Sequence, residues 1–427
     1  MKVNIGVKTY TSVKALTFAP ETTLTCDSLP INEFSADLHT GDDVEIGQYA
    51  ELRDDLDTLW ARYWLVYAEH IDRQTLRIRA QSQLKLLDRS VLSARMYSGA
   101  SIASVLEELF PATDMYTLDG SFAGQTITGF CPEQTARERL LWVCFTVGAY
   151  VRTFFTGGVD ILPVDDSEVL IPASDTYWKP NVTFNDHVTA VRATYYSFSQ
   201  GTPATTDAWV KDASDVTYIV SAQTMTLSNP DVPAGAPENV VSFEGIYLLN
   251  SGNVSGVLTR LSQRYFKRIQ VDISVIDNGQ YQPGDRVICF ADEASLYTGY
   301  IEACDFAFGT QARARLRLTA VDPTDAAALT VTYVWDGTQI GLDDHVLPVG
   351  YEYELQARYI DLTLSGHRYI FRPTTPVISG TMPEEGAAVT VICEIALEYF
   401  EGVLKITSVD GLTEKHGADG SVTVELL

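Results

Sequence analysis

Apolar and polar residues alternate along most of this chain, the pattern of half-buried strands. One version of the pattern occurs twice, at residues 46–82 and 283–322. Each copy opens on a turn glycine, Gly47 or Gly284. A short alternating strand follows, Tyr49–Arg53 or Arg286–Ala291. An acidic turn comes next, Asp54, Asp55 and Asp57 against Asp292 and Glu293. Then come a long aromatic-rich strand (Thr58–Ile71 or Ser295–Phe308) and a basic alternating strand (Thr75–Ser82 or Ala312–Val321). Two distant copies predict a duplicated β domain rather than a solenoid.

The same reading divides the chain. Residues 1–90 predict a β domain of five to seven strands, closed by Leu84, Leu86 and Leu87. Residues 91–165 change character. Ile102, Val105, Leu106 and Leu109 have helical spacing, and Pro111 stops that helix. Pro132 and Glu133 predict the opening of a second helix, with Leu140, Leu141, Val143, Cys144 and Val147 buried and Gly148 near its end. Strands are expected near Met115–Leu118, Thr126–Gly129, Tyr150–Phe155 and Asp160–Pro163, which makes this segment a small α/β insertion.

Residues 166–325 return to β, with strands at Ser167–Ile171, Val188–Tyr196, Asp215–Val220, Thr224–Leu227 and Val240–Phe243 and a short helix at Leu258–Lys267. Asp322–Ala328 reads as a linker, because Pro323 should break the preceding strand. Residues 326–427 predict small β modules, with strands at Leu329–Trp335, Tyr351–Ala357, Val389–Glu394 and Val403–Thr407. Asp336-Gly337, Asp410-Gly411 and Asp419-Gly420 are hairpin signals.

Composition narrows the function. The chain has 427 residues, with 30 basic and 56 acidic side chains and a formal net charge of −26. That argues against a protein that grips nucleic acid by neutralising phosphates, though not against one past which nucleic acid slides. No pair among the six cysteines has CxxC spacing, and reduced buried thiols are expected; Cys289 and Cys304 lie on neighbouring predicted strands. No leader peptide and no run of 18 apolar residues is found, so no membrane insertion by this chain is expected.

Catalytic chemistry is hard to find. His39, His70, His187, His345, His367 and His416 form no metal-ligand spacing, and no GxSxG, Walker A or GxGxxG motif occurs. Asp186-His187 and Asp344-His345 are adjacent and would point to opposite faces of a strand. The acidic pairs Asp54-Asp55, Glu107-Glu108, Asp165-Asp166, Asp343-Asp344 and Glu384-Glu385 could suit a glycosidase. In so acidic a chain such pairs also arise by chance. We therefore expect no catalytic residues, no metal ligands, no cofactor and no enzymatic activity. Tyr63, Trp64 and Tyr67 could stack bases, but core packing is the expected role. Arg77, Arg79, Arg313, Arg315 and Arg317 alternate so that each set lines one face, either solvated or facing the acidic turns of a neighbouring subunit.

Four stretches, LRIRAQSQLKLLDR (76–89), MYSGASIASVLEEL (96–109), TITGFCPEQTARERLLWVCFTVGAYV (126–151) and DILPV (160–164), in this order, resemble the tail hub family of phages and phage-like injection machines. So does the second repeat copy, with Pro283-Gly284-Asp285 and Gly299-Tyr300-Ile301-Glu302. The resemblance covers roughly residues 1–325 and implies a mainly β chain with two tube-like β-barrel domains (1–90 and 166–325), an α/β insertion (91–165), and C-terminal β modules (326–427). It implies a homotrimer, partnered by a tail tube or distal tail protein and by a tip or spike protein, with DNA passing through the channel without specific binding. Its place would be the tail tip of a virion or phage-like particle assembled in the host bacterial cytoplasm. Residues 329–393 also resemble mucin-binding repeats of Gram-positive surface proteins. Two alternatives are a hub that cleaves peptidoglycan with residues 326–427, and a β-rich surface adhesin.

Overall fold

The computed structural model describes residues 1–171, 175–177, 180–276, 279–290, 296–308 and 313–324, and beyond these the backbone of strands between 330 and 426. The chain is mainly β, with an α/β insertion. It divides into two compact units. One comprises Met1–Ser167, Val182–Arg286 and Tyr300–Val321; the other comprises Glu168–Asn181, Val287–Gly299 and Asp322–Leu427.

Seven strands form before residue 82: β1 Lys2–Ile5, β2 Lys8–Tyr10, β3 Val13–Phe18, β4 Glu33–His39, β5 Tyr49–Arg53, β6 Leu59–Asp72 and β7 Thr75–Gln81. They lie side by side in the order β3-β4-β7-β6-β5-β1-β2. Alternation decides which face is buried: on β4, Phe34, Ala36 and Leu38 are buried, and on β7, Leu76, Ile78 and Ala80.

The same order recurs. Asn181–Phe184, Ile269–Ile276, Arg313–Thr324, Leu296–Ala307, Arg286–Phe290 and Glu168–Leu170 neighbour one another in that sequence. They stand, strand for strand and in the same chain order, where β3, β4, β7, β6, β5 and β1 stand. The repeat read from the sequence held three strands; the repeat that folds holds six. Its turns agree in detail. Gly47 donates its N–H to the Leu65 carbonyl at 3.0 Å, and Leu65 returns an N–H to Gln48 at 2.8 Å. Gly284 and Ile301 repeat this at 2.7 Å, with the return to Asp285 at 2.9 Å. Both glycines have positive φ, 87° and 107°. A Cβ on Gly284 would stand 2.7 Å from the Tyr150 hydroxyl, so this site needs glycine for space as well as for φ.

One junction makes the two copies a single sheet. Phe18 and Thr17 of β3 lie antiparallel to Phe306 and Ala307. Glu21 bridges Ala303, and Thr22 donates to the Glu302 carbonyl at 2.8 Å.

The insertion follows α1 (Leu84–Leu87). Its helix α2, Ile102–Leu109, is capped by the Ser101 hydroxyl and buries the four expected residues. It ends as Phe110 turns extended before Pro111. Helix α3, Ala136–Val147, begins later than Pro132 predicts, because Thr135 and Glu138 form a capping box. Gly148 closes it at φ 82°. Its buried set also differs from the expected stripe. Leu141 and Val147 are half-buried, while Arg139 and Phe145 are buried. The helix serves two cores: Leu140, Val143 and Cys144 face one and Phe145 the other. Arg139 is tolerated inside because its Nη2 donates to the carbonyls of Leu92, Ser93 and Pro132 at 3.3, 2.8 and 3.1 Å. Tyr116–Leu118, Val159–Pro163 and Ala149–Arg152 make a small mixed sheet beside the helices.

Between Asn181–Phe184 and Ile269–Ile276 stands a second sheet with helix α4, Val254–Tyr265, against it. The two strands expected at 215–220 and 224–227 are one, Thr217–Ser228. No glycine or proline interrupts it, and it pairs from Ala190↔Ser228 to Gln200↔Tyr218. Helix α4 likewise starts four residues earlier than expected, with Val254, Val257, Leu258 and Leu261 buried. Pro323 does not break its strand, which runs to Thr324. Pairing with Ile269–Ile276 ends at Val321, so that ladder asks nothing of the missing proline N–H.

In the C-terminal region, Thr330–Trp335, Val389–Glu394, Val422–Leu426 and Leu412–His416 form one sheet. Val422–Leu426 pairs antiparallel with Leu412–His416. The partner of Thr330–Trp335 is Val389–Glu394, not the next strand in the chain. The three Asp-Gly pairs themselves lie outside the described residues.

Candidate assembly surface

The junction between the copies is packed with aromatic rings. Phe18, fully buried, stacks on Phe306 at 5.8 Å between ring centroids. Trp60 lies 5.0 Å from both Phe155 and Phe306. Tyr63 is buried among them and stacks on Phe34 at 5.8 Å, so it belongs to the core and offers no stacking platform. Its neighbours on β6 are half-buried. Trp64 meets Tyr49 edge-on at 5.2 Å, with Arg62 over the Tyr49 ring. In the second copy the same two positions hold Arg286 and Tyr300, and the guanidinium sits over the ring at 5.7 Å. Tyr67 is covered by Arg79 and donates its hydroxyl to Glu69.

The alternating arginines find partners in their own sheet. Arg77 makes a bidentate pair with Asp37 of β4 at 2.8 and 2.9 Å, and Arg79 reaches Glu33 at 3.8 Å. In the second copy Arg315 and Arg317 approach Asp272 at 3.6 and 3.9 Å. Arg313 lies on the same strand. Within the chain these exposed arginines pair with carboxylates of the adjacent strand. The cause is register: Asp37 stands directly opposite Arg77, and Asp272 opposite Arg317. Such exposed pairs orient side chains more than they stabilise.

One charged cluster is half-buried, and nothing in the local sequence pattern announces it. Arg264 of α4 lies 2.5 Å from the Glu302 carboxylate and 3.6 Å from Asp27, and donates to the Thr25 hydroxyl at 2.8 Å. Tyr265 donates its hydroxyl to Asp27. Burial pushes the Glu302 carboxyl above its ordinary range, and Arg264 pulls it part of the way back. The cluster ties α4 to the strand at the copy junction, because Glu302 sits on Leu296–Ala307 beside Thr22.

The remaining candidates have ordinary structural partners. Asp54 accepts the N–H groups of Leu56 and Thr58, and Asp55 meets the Met1 ammonium at 2.9 Å. Asp165 accepts from Ser167, while Asp166 takes the Tyr300 hydroxyl. Glu108 binds Arg95 at 2.6 Å and Tyr97 at 3.0 Å; Glu107 is exposed. Asp343-Asp344 and Glu384-Glu385 lie outside the described residues, as do the side chains of His345, His367 and His416. Among the described residues no group of His, Cys, Asp or Glu could hold a metal ion. His70 faces Asp43 at 3.3 Å, while His39 ends β4 and His187 precedes the strand Ala190–Gln200. Cys26, Cys131, Cys144, Cys289 and Cys304 are buried thiols outside any disulfide, and burial pushes the Cys131 and Cys289 thiols up to about 12. No described helix is long and apolar enough to cross a membrane.

No family model matches the sequence, and no curated protein does. The fold, however, is found among solved structures. The tail protein from Neisseria meningitidis MC58 superposes with a TM-score of 0.50 at 11% identity, over 74% of this chain and 95% of that one. The 43 kDa tail protein of prophage MuSo2 from Shewanella oneidensis does so with a TM-score of 0.50 at 10% identity, over 74% and 97%. This chain thus has the mainly β fold of phage tail proteins, as the sequence resemblance implied.

Proposed function

We propose that the chain is the structural hub of a phage or phage-like tail, a homotrimeric ring that joins the tail tube to the tip and forms part of the channel. The observation that carries this reading is the six-strand duplication within one polypeptide. Three such chains present six similar sheets, which suits a docking partner of six-fold symmetry such as a tail tube or distal tail protein. Closed cyclic assembly is the usual outcome for such subunits. The first barrel then spans 1–90, the insertion 91–165, the second barrel 166–325 and the outer modules 326–427. A tip or spike protein binds the opposite end. The charge of −26 keeps the channel from holding DNA, which passes without specific binding. Assembly takes place in the host bacterial cytoplasm, and the finished ring resides at the tail tip.

Light scattering on the purified full chain tests this. A trimer is expected, and negative-stain images should show a ring with a central hole. A monomer that persists at high concentration would overturn the reading. The role is non-enzymatic. A peptidoglycan zymogram is expected to stay uncleared, and clearing that a single carboxylate substitution abolishes would favour the wall-cleaving alternative.

A further inference from the structure

The internal junction is a template with half of its parts left over. In the second copy, the long strand is bordered by Arg286–Phe290 over its first part; the β3 segment pairs with its last part, at Phe306 and Ala307. In the first copy, β5 borders β6 only as far as Trp64, followed by the Gly47–Leu65 contact. Beyond it, the same edge of β6 has no strand beside it among the described residues. Counting from Leu65 and Ile301, Phe306 and Ala307 correspond to His70 and Ile71.

The segment that would fill this edge is also present and also unused. The strand Asn181–Phe184 occupies in the second copy the place of β3 in the first, and it ends the sheet. Leu16-Thr17-Phe18 closes β3; Val182-Thr183-Phe184 closes its counterpart. Phe18 is 0% exposed because the junction covers it, whereas Phe184 is 63% exposed. At the vacant edge Ile71 is 52% exposed, and Ile46 beside the Gly47 turn is 63% exposed. Sheet edges that carry bare apolar side chains are the kind that recruit another strand.

We propose that Val182–Phe184 of one copy adds antiparallel to the end of β6 in a second copy of this chain. Phe184 then stands opposite His70 and Thr183 opposite Ile71, as Phe18 and Thr17 stand opposite Phe306 and Ala307. Each chain offers one edge of each kind, so the contact is head-to-tail, the kind that closes into a ring when its rotation permits. The proposal names the interface of the trimer put forward above, and rests on that reading for the number of chains.

The test is a Phe184→Cys/His70→Cys double variant of the full chain. Directly opposed residues of an antiparallel pair lie within disulfide reach, about 4.5–5.5 Å between Cα atoms. Oxidation should give covalent dimers and trimers on a non-reducing gel, and neither single variant should give them. Phe184→Asp and Ile71→Asp, both at positions exposed in the single chain, should leave its fold intact, read as an unchanged far-ultraviolet circular dichroism spectrum. Each should raise the concentration at half-assembly by about tenfold or more, the scale of an interface hot spot. A wild-type trimer without cross-links, unaffected by either aspartate, would overturn the proposed edge and leave the trimer standing. Cross-linked chains longer than three would support the edge and overturn the trimer. A monomeric wild type without cross-links would overturn both.

Discussion

Replacing Gly129 with alanine is expected to destabilise the fold by roughly 3–5 kcal/mol, combining a strained backbone with a clash that cannot relax locally. Gly129 has φ 138°, and a Cβ there would stand 2.4 Å from the Tyr247 carbonyl oxygen and 2.9 Å from the Leu248 Cα. Both are backbone atoms, so no side-chain rotation gives relief. The same carbonyl accepts the Phe130 N–H at 3.2 Å, which pins strand Thr126–Cys131 against that segment. Gly99→Ala is the control. Gly99 also has positive φ, 73°, yet nothing lies within 4 Å of its Cβ position. Its cost should be about 1 kcal/mol, from the conformation alone. Urea midpoints of the two variants separate the terms, and equal losses would mean that the close approach carries no weight.

Arg264→Leu is expected to cost about 3 kcal/mol at neutral pH, the low end for a buried pair, because it leaves the half-buried Glu302 and Asp27 carboxylates without their cation. The loss should depend on pH. Glu302 titrates in the fold above its ordinary value of 4.5, since burial disfavours its charge. A carboxyl raised in this way favours the fold below its unfolded pKa, and that advantage is lost as pH rises through the folded pKa. Removing Arg264 removes the larger of the two guanidinium charges that oppose the shift, Arg317 being the other, so the window of loss widens upward. The deficit of Arg264→Leu relative to wild type should therefore shrink as pH falls toward 4.5, and Arg264→Leu/Glu302→Gln should lose less than the single variant at pH 7. Denaturation midpoints across that range check both points. A deficit constant with pH would show that Arg264 acts through packing alone.

Neither of these two sites is exposed by the sequence, although the elements that carry them are. Strand and helix positions were largely legible, because alternation and three–four spacing are local: Tyr49–Arg53, Ile102–Leu109 and Val240–Phe243 fold where the pattern puts them. Local signals misled where a stronger one overrode them. The Thr135–Glu138 capping box outweighed Pro132, and an unbroken ladder with Ala190–Gln200 carried one strand across 217–228. Contacts between distant segments were not legible at all. Arg264 meets Asp27 and Glu302, and Gly129 meets Tyr247, through packing that no periodicity encodes. The repeat was visible only over its three best-matched strands. The agreement of Leu16-Thr17-Phe18 with Val182-Thr183-Phe184 spans three residues, too short to notice until the sheet order aligns them.

The junction between Phe18 and Phe306 also sets a timetable for synthesis. The ribosome delivers β3 among the first residues of the chain, but its partner strand emerges only near residue 307. At roughly 5–20 residues per second, the β3 edge and the Phe18 ring wait about 15–60 s for their cover. During that interval the nascent first copy carries an apolar edge on each side of its sheet, on neighbouring polysomal chains as well. Crowded nascent chains could pair with one another through those edges before the second copy arrives. Slower initiation, or a chaperone that shields β3, should therefore raise the yield of soluble chain more than any change made after release.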